Sequence, residues 1–565
     1  MYERKRYNQK MLLAVIFLLT FLIVSASSDL LLYAEDFVPG EVIIDIKHQF
    51  LPIIITIGQD SNIVTNLASI DSLNRLYGCK GFEKIYDAGW TPMKGSYLLK
   101  FPDTLDINQI VLSYALAPHI YIASPNHIMT VDITPNDYYF PLQWAHRPNL
   151  MKSELGWAIT PGYNTTILQI IDVCLDWNHF DLAENIWQNL GEDADHDGHT
   201  LEWDGVEWKF DPGDLNYYDD DGNGKPDDLV GWDFHGDICD RPYSWWPDND
   251  PQCKSCPPYY ASSHGDATSG TAAARTNNTI GVSGENWYCR IMATKAGYGY
   301  GIVEDRAAEA MSYGIRNGAQ VINMSFGGRN PLPWLYDKID SAYHYYNITL
   351  VASAGNDTFE TPHYPAYYNE VIAVAGTDSF DVKRLSSTYG TWVDLSAPGE
   401  NWVPSRDIRW LFSYRYITGT SISAPFVSGL AALIKGQHLK LWGPTITNSQ
   451  IETVLDSSCD SIYHLPGNAP YIGKLGSGRI NTFKALLAVS RGDVNNSHTI
   501  NLGDVASLGK YINGIPGYDP IPVPEMGDVN CDGKIDYADC IYLANYIFGV
   551  GPKPPICFRY KYPWN

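Results

Sequence analysis

Four polar residues, far apart in the chain, have the side-chain types needed for acyl transfer through a covalent intermediate. Ser421 would supply the nucleophilic hydroxyl, His264 the general base, and Asp172 the carboxylate that orients the imidazole. The Asn356 amide and the N–H of Ser421 would donate hydrogen bonds to the developing oxyanion. Each residue also has a structural interpretation, because Asp, Asn and Ser commonly cap helices or form turns, and a His before Gly is common in loops. Together, the four residues supply every group that acyl transfer needs.

These residues adjoin predicted secondary-structure elements that would bring them together. Short apolar runs predict buried strands at residues 167–171, 320–324, 349–352 and 371–374. Helical patterns alternate with them at residues 306–317, 334–346 and 424–436. Asp172 and Asn356 follow strands, and Ser421 lies near a helix start, whose unpaired N–H groups suit an oxyanion. The alternation predicts an α/β fold with a central, mostly parallel sheet.

The sequence around these residues resembles the subtilisin-like serine proteases, or subtilases. The matching motifs are Ile170-Ile171-Asp172, His264-Gly265 with Gly270-Thr271, Ser353-Ala354-Gly355-Asn356, and Gly419-Thr420-Ser421 with Ala424-Pro425. The resemblance implies the subtilisin-like three-layer fold and a serine endopeptidase whose triad is Asp172, His264 and Ser421. It also implies two segments that flank an extended peptide substrate: Ser325, Phe326 and Gly327, and Ser353, Ala354 and Gly355. The small, apolar character of these segments favours large apolar side chains before the scissile bond.

The chain departs from the family pattern beside two catalytic positions. Val173 and Cys174 follow Asp172 where relatives carry Thr and Gly, and Asp266 stands where relatives carry Thr. We expect a second carboxylate beside His264 to raise the pKa of the imidazole or to displace it, and the nearby thiol to make the site sensitive to thiol reagents. The alternative function is therefore a catalytically impaired homologue that acts as a surface-binding protein. An esterase is a further alternative, which the segment Ser325-Phe326-Gly327 disfavours.

The N-terminal sequence and the composition predict an exported protein. Residues 1–28 have a basic start, an apolar run at 11–24 and small residues at 25–28, as in a signal peptide; a signal anchor is the alternative. The apolar run is short for a stable membrane span. The formal net charge of −25 argues against nucleic acid as a partner. Export permits disulfides among the ten cysteines, and although Cys253 and Cys256 have zinc-ligand spacing, the chain offers no matching second pair.

Four segments follow from these patterns: the signal peptide at 1–28, a small α+β domain at 37–130, the peptidase domain at 135–490 and a tail at 491–557. The resemblance implies that 37–130 is the enzyme's own inhibitory prodomain, removed by self-cleavage between about Ser124 and Asn136. An ordinary accessory domain is the alternative. The mature enzyme would then act on proteins or peptides outside the cell, free or attached to the cell surface.

Two acidic loops between Asp172 and His264 have oxygen ligands at alternate positions, which suits calcium. The predicted ligands of the first loop are Asp193, Asp195 and Asp197. Those of the second loop are Asp219, Asp221, Asn223 and Asp227. A solvated acidic loop is the alternative in both cases.

The tail contains an internal repeat, in which Gly-Asp-Val-Asn at 492–495 recurs at 527–530 and each copy leads into a short helix. This pattern resembles dockerin modules and implies a small α-helical tail with two calcium loops. The first loop offers Asp493, Asn495, Asn501 and Asp504, and the second offers Asp528, Asn530, Asp532, Asp536 and Asp539. His498 replaces the turn glycine of the first loop, so we expect weaker binding there. The resemblance implies a cohesin-bearing scaffold or cell-surface partner; a stalk or stability cap is the alternative. We hypothesise separately that Cys531 pairs with Cys557 and staples the module.

Overall fold

The computed structural model describes residues 37–57, 63–85, 95–102, 105–127, 134–236, 246–252, 263–299, 301–407, 410–443, 446–513 and 524–558. The chain forms two compact units, Met1–Asp132 and Ile133–Asn565. The predicted signal peptide and the pair Cys253 and Cys256 lie outside the described residues. Within the described ranges, no helix is long and apolar enough to cross a membrane.

The first unit is an α+β structure built on a four-stranded antiparallel sheet of order β4-β5-β1-β6. Its elements are β1 (Phe37–Ile46), a 3-10 helix (His48–Phe50), β2 (Ile55–Ile57), β3 (Ile63–Thr65), α1 (Ala68–Tyr77), β4 (Gly81–Lys84), β5 (Ser96–Lys100), α2 (Ile107–Ala115) and β6 (Ile120–His127). Alternate residues of β1, Val42, Ile44 and Ile46, are buried in one core with Leu99 and Ile110. The alternation in the sequence of β1 therefore reflects a strand with one face in the core.

The second unit contains the remaining helices and strands. Its first half comprises 3-10 helices (Phe140–Leu142, Trp144–His146 and Ala183–Asn185), α3 (Ser153–Ile159), β7 (Ile167–Asp172), β8 (Leu201–Trp203), β9 (Trp208–Phe210), β10 (Gly231–Asp233), α4 (His264–Ala273), β11 (Arg290–Lys295), β12 (Gly297–Tyr298), β13 (Gly301–Ile302) and α5 (Glu304–Arg316). Its second half comprises β14 (Val321–Met324), α6 (Pro333–His344), β15 (Thr349–Ser353), β16 (Ile372–Thr377), β17 (Leu395–Pro398), β18 (Glu400–Asp407), β19 (Trp410–Thr418), α7 (Thr420–Trp442), α8 (Asn448–Ser458), a 3-10 helix (Pro466–Tyr471), α9 (Thr482–Ser490), α10 (Leu502–Ile512), a 3-10 helix (Pro524–Gly527) and α11 (Tyr537–Ile547).

Seven parallel strands form the central sheet of this unit, in the order β10-β11-β7-β14-β15-β16-β17. Successive residues of one strand belong to different cores: Ile170 packs with residues of α7, and Ile171 with residues of α5 and α6. Because side chains alternate across a strand, helices cover both faces of the sheet. The predicted α/β fold with three layers is confirmed, and β7, β14, β15 and β16 are the predicted strands.

Helix α7 is the longest of the described helices and lies in the middle of the larger core. The sequence pattern predicts a start at residue 424, whereas the helix begins at Thr420 and continues to Trp442. Pro425 lies in its second turn and has no N–H, so the carbonyl oxygen of Ser421 has no donor four residues later. The helix therefore starts before the proline and leaves one carbonyl of its first turn available to another part of the chain.

The tail begins at Arg491, directly after the last residue of α9, and belongs to the same unit as the peptidase domain. The pairing of Cys531 with Cys557 is present as a disulfide. The Arg491 side chain is buried, and its Nη1 donates to the carbonyl oxygens of Glu525 at 2.6 Å and Asp528 at 3.2 Å. A second contact lies at the first tail loop, where Tyr163 Oη and His498 Nδ1 are 3.2 Å apart.

Candidate active site

Asp172 and His264 meet at the carboxyl end of the central sheet. Asp172 is the last residue of β7, and His264 is the first residue of α4. The His264 Nδ1 atom lies 2.8 Å from Asp172 Oδ1 and 2.9 Å from Oδ2. The carboxylate is buried, whereas the imidazole keeps 24% of its side-chain surface exposed. This geometry holds the ring in one orientation and leaves its far nitrogen able to reach a reacting group.

The close approach of α4 to β7 depends on a glycine. A Cβ atom on Gly265 would lie 1.7 Å from the carbonyl oxygen of Cys174, directly after the strand. Any other residue there would push the helix away from the strand end, and His264 with it. Steric contact with the strand end therefore explains why glycine follows His264 in the sequence motif.

The Asp172 carboxylate is held by two donors besides the histidine. Its Oδ1 accepts the N–H of Val173 at 2.7 Å, and its Oδ2 accepts the hydroxyl of Thr268 at 3.1 Å. Thr268 lies one turn after His264 on the same face of α4, so the i, i+4 spacing offers a signal that the sequence interpretation did not use. These bonds fix the rotation of the carboxyl group.

The pKa of His264 is raised above its usual value. Burial favours the neutral ring, but the negative charge of Asp172 and its hydrogen bond outweigh burial and the opposing charge of Arg415. Asp172 is thus the acidic group that sets the pKa of the imidazole.

The two departures from the family pattern do not have the expected effects. Asp266 is buried, and its Oδ1 accepts the N–H of Asp176 at 2.7 Å, so it holds the loop after β7 rather than the imidazole. Cys174 is part of a disulfide bond. The expected free thiol beside the catalytic carboxylate is therefore wrong, because a disulfide sulfur has no thiol proton to lose and is not a nucleophile.

Ser421 is the second residue of α7 and exchanges hydrogen bonds with Ser325, the residue after β14. The Ser325 hydroxyl donates to the Ser421 carbonyl oxygen at 3.0 Å, which is the acceptor that Pro425 leaves open. The Ser421 hydroxyl in turn donates to the Ser325 carbonyl oxygen at 3.1 Å. Within the described part of the chain, the Ser421 hydroxyl is thus bonded to Ser325 and not to His264. A hydrogen bond between a nucleophile and its general base often forms only when substrate binds.

Asn356 lies in the loop after β15 and is fixed by Thr420 at the start of α7. Its Oδ1 accepts the N–H of Thr420 at 3.0 Å and the hydroxyl at 3.3 Å. Since both contacts are donors, the amide oxygen must face Thr420, and Nδ2 must face the other way. The side chain is exposed, and the backbone N–H of Ser421 lies in the first turn of α7, where helical N–H groups have no partner within the helix. The Asn356 amide and the Ser421 N–H are therefore two donors beside the start of α7, where Ser421 lies.

The predicted substrate-binding segments extend from neighbouring strands. Ser325, Phe326 and Gly327 follow β14, and Ser353, Ala354 and Gly355 end or follow β15. The strands pair in parallel register, so both segments leave the sheet at the same edge. Gly355 has φ +98°, a left-handed conformation that favours glycine.

The predicted calcium ligands of the first acidic loop are brought together. Ligand oxygens of Asp193, Asp195 and Asp197 lie within 4.8 Å of one another. Asp214, which the sequence interpretation missed, is buried, and its Oδ2 accepts no hydrogen bond from the described residues. Burial and the charges of Asp211 and Asp193 raise the pKa of Asp214. Converging carboxylate oxygens with an unsatisfied buried oxygen fit a hard cation such as calcium.

The second acidic loop is rearranged relative to the sequence expectation. Asp219 and Asp221 converge with Glu192, which the sequence pattern does not single out. Asn223 lies beside them and donates from Nδ2 to Asp221 Oδ2 at 2.8 Å, while its Oδ1 is buried without a donor among the described residues. Asp227 instead accepts the N–H groups of residues 216 and 217. Glu192 comes from a turn outside the loop, so spacing alone could not identify it.

In both tail loops, predicted ligand side chains accept backbone N–H groups of the loop. In the second loop, Asp528 and Asn530 accept the N–H of Asp532, and Asp539 Oδ1 accepts the N–H of Asn530 at 3.0 Å. Asp536 also caps α11, because its Oδ1 accepts the N–H of Ala538 at 2.7 Å. Asn501 caps α10 in the same way, so these predicted ligands also begin the tail helices.

The first tail loop contains two neighbouring carboxylates, Asp493 and Asp504, and a non-glycine residue with positive φ. Burial and the negative charge of Asp504 raise the pKa of Asp493 to about 6. A bound cation would relieve the repulsion between the two carboxylates. Asp504 accepts the N–H groups of Asn495 at 3.2 Å and Asn501 at 2.8 Å. His498 takes φ +56° at the position of the usual turn glycine. The loop keeps the expected turn despite the histidine.

Comparison with known proteins agrees with this geometry. Residues 164–475 match the model of the subtilase family, and residues 491–548 match the type I dockerin domain. The chain is 28% identical to a thermophilic serine proteinase of Bacillus sp. (strain AK1) over 384 residues, which are 67% of this chain and 76% of that protein. It is 29% identical to thermitase of Thermoactinomyces vulgaris over 360 residues, 62% of this chain and 99% of thermitase.

A protease of Pseudoalteromonas arctica PAMC 21717 aligns in structure over 63% of this chain and 100% of its own, with a TM-score of 0.49 and 22% identity. The family match spans more than half of the chain and contains all four candidate catalytic residues. The chain belongs to the subtilase family of serine endopeptidases and carries a type I dockerin domain after its peptidase domain.

Proposed function

We propose that this protein is a secreted, calcium-stabilised serine endopeptidase that cuts peptide bonds through the triad Asp172, His264 and Ser421. The observation that supports this most directly is the pair of short contacts, 2.8 and 2.9 Å, between His264 Nδ1 and the Asp172 carboxylate. This carboxylate keeps the proton on Nδ1, so that Nε2 is the basic nitrogen.

The reaction requires one rotation of the Ser421 side chain. Its hydroxyl leaves the Ser325 carbonyl and turns to His264 Nε2, which takes the proton as Oγ attacks the scissile carbonyl carbon. The resulting oxyanion accepts hydrogen bonds from Asn356 Nδ2 and the Ser421 N–H. The imidazolium then gives its proton to the leaving amine, and the peptide C–N bond breaks to form an acyl-enzyme. Water attacks the ester with the same base, which releases the acid and restores the serine.

The four acidic loops are proposed as calcium sites that hold the enzyme in its active form. The carboxylates and the buried oxygens of Asp214 and Asn223 support a cation in the peptidase loops. Bound calcium would neutralise these carboxylate clusters. In the two peptidase loops it would also hold together parts of the long connection between Asp172 and His264. Without it, repulsion among the carboxylates disfavours the folded loops.

We further propose that residues 37–130 act as an inhibitory prodomain, removed by self-cleavage between about Ser124 and Asn136, and that a signal at residues 1–28 directs export. Family membership supports both proposals. The type I dockerin domain supports binding of a cohesin-bearing scaffold or cell-surface protein, so the enzyme would work outside the cell, attached to that surface.

Labelling with a fluorophosphonate probe tests the triad directly, because the probe reacts only with an activated serine. We expect the purified protein to be labelled once per chain and to cleave a peptide library, and Ser421→Ala to lose both properties. A protein that is folded by circular dichroism but neither labelled nor active would favour the alternative, an impaired homologue that acts by binding.

A further inference from the structure

One side chain occupies the space between the two segments proposed to bind substrate. A Cβ atom on Gly327 would lie 2.6 Å from Nε2 of His363, and a Cβ atom on Gly355 would lie 2.7 Å from its Nδ1. Since both distances are shorter than any contact a real Cβ atom makes, the imidazole lies directly against the two glycines. The ring thus fills the gap between the segment after β14 and the segment after β15.

The chain around His363 holds the ring in this position. The next residue, Tyr364, pairs with Gly328 through two backbone hydrogen bonds of 2.8 and 2.7 Å, and the carbonyl oxygen of His363 accepts the N–H of Tyr367 at 2.9 Å. The imidazole is half-buried, and its Nδ1 has no hydrogen-bond partner in the described part of the chain. Steric fit, rather than a polar partner, is what this side chain provides.

An ion pair joins the chain just beyond the two segments. Arg329 Nε donates to Asp357 Oδ2 at 3.0 Å, which joins the two segments just beyond Gly328 and Asn356. Burial lowers the pKa of His363, and the positive charge of Arg329 acts in the same direction against the charge of Asp357. At neutral pH the ring that lies between the two glycines is therefore uncharged.

The catalytic groups define which part of a substrate meets this ring. The carbonyl carbon must approach Ser421 Oγ, which is bonded to the carbonyl of Ser325, while its oxygen points to Asn356 Nδ2. Ser325 begins one segment, and Asn356 directly follows the other. The side chain of the residue that donates the scissile carbonyl is thereby directed into the gap between them.

We propose that His363 is the specificity-determining residue that shortens this gap, so that the enzyme accepts small side chains before the scissile bond and discriminates against large apolar ones. This inference rests on the proposed endopeptidase function. It differs from the expectation drawn from sequence, because glycines at 327 and 355 suggest open room that the histidine in fact fills.

Two chromogenic peptides that differ only in the residue before the scissile bond, Ala or Phe, test the proposal. For the wild type at pH 8 we expect kcat/KM to favour Ala by about tenfold or more, the scale on which pockets discriminate by size. His363→Gly, and to a smaller degree His363→Ala, should shift the ratio toward Phe by at least about tenfold. His344→Ala, at an exposed site on α6, is the matched control and should leave the ratio unchanged.

Active-site titration with the fluorophosphonate corrects every rate for the fraction of folded enzyme. A wild type that cleaves the Phe peptide as well as the Ala peptide overturns the proposal, whatever the variants do. A ratio unchanged within twofold in both titrated variants also overturns it, while the proposed function stands. If the wild type is neither labelled nor active on either peptide, the proposed function fails and the inference fails with it.

Discussion

Replacing Asp172 with Asn should inactivate the base by selecting the wrong tautomer of His264. The Asp172 Oδ1 atom accepts the N–H of Val173 at 2.7 Å, so an amide NH₂ group placed there would oppose another donor. The Asn oxygen must therefore face Val173, and its NH₂ must take the position of Oδ2, beside Thr268 and 2.9 Å from Nδ1 of the imidazole. The Thr268 hydroxyl can accept this contact, because its own proton can go to the Gly265 carbonyl oxygen at 3.1 Å.

In this arrangement the amide donates to Nδ1 of His264, which forces the proton onto Nε2, the nitrogen that must take the proton of the nucleophile. Replacing the orienting Asp by Asn in triads of this kind lowers kcat by about 10⁴, equivalent to about 5.4 kcal/mol of transition-state stabilisation. The carboxylate charge that raises the pKa of His264 is lost as well, so the pKa of the imidazole should fall in the variant.

The assay is kcat for a chromogenic peptide across pH 5 to 10, with fluorophosphonate labelling rates as a second readout. Thr268→Val is the control: it removes one bond to Oδ2 but leaves the carboxylate, so we expect a loss of about tenfold or less from a single hydrogen bond. A folded Asp172→Asn enzyme, with unchanged melting temperature, that retains more than a tenth of wild-type kcat would refute the tautomer argument.

Four further outcomes follow from the same geometry. Asn356→Ala should lower kcat by about 10² to 10³ with little change in KM, because the amide donates mainly in the transition state; an equal rise in KM would contradict this role. The acidic limb of the kcat/KM profile should lie above the usual histidine pKa near 6.5, since Asp172 raises the pKa of His264 and only the neutral ring can accept a proton; a midpoint at or below 6.5 would count against it. Chelation of calcium should lower the melting temperature and the activity together, as measured by calorimetry and peptide hydrolysis, and unchanged melting would remove the structural role of calcium. Ser421→Ala, expressed alone, should keep residues 37–130 attached by mass spectrometry, whereas processing near residues 124–136 would show that another protease makes the cut.

The parts of the fold that follow from sequence are those in which a local pattern matches a local requirement. Apolar runs at β7 and β14 indicate strands buried on both faces, and the glycine after His264 is needed for contact with the strand end. The four catalytic candidates could be selected because each lies beside such an element. The repeat in the tail likewise fixes both loops, since its ligands are close in sequence.

The parts that sequence does not reveal depend on contacts between distant segments. The bond from Ser325 to the carbonyl of Ser421 exists because Pro425 leaves that carbonyl free, which requires knowing that β14 ends there. The direction of Asp266 depends on the loop after β7, and Glu192 joins its loop only through the turn that precedes it. His363 belongs to none of the motifs, and its effect is visible only once two glycines from different strands are seen against one ring.

The join between the peptidase domain and the tail has a consequence for how the enzyme would meet its targets. Only Arg491 and Gly492 separate α9 from the first ligand of the tail, and Arg491 is itself buried. A long flexible linker would let an anchored peptidase domain explore a large volume, at a low effective concentration near any one target. The short, buried connection instead holds the active site in one orientation relative to the tail. If the tail is bound to a surface, the place where it is bound would then decide which peptide bonds the enzyme can reach.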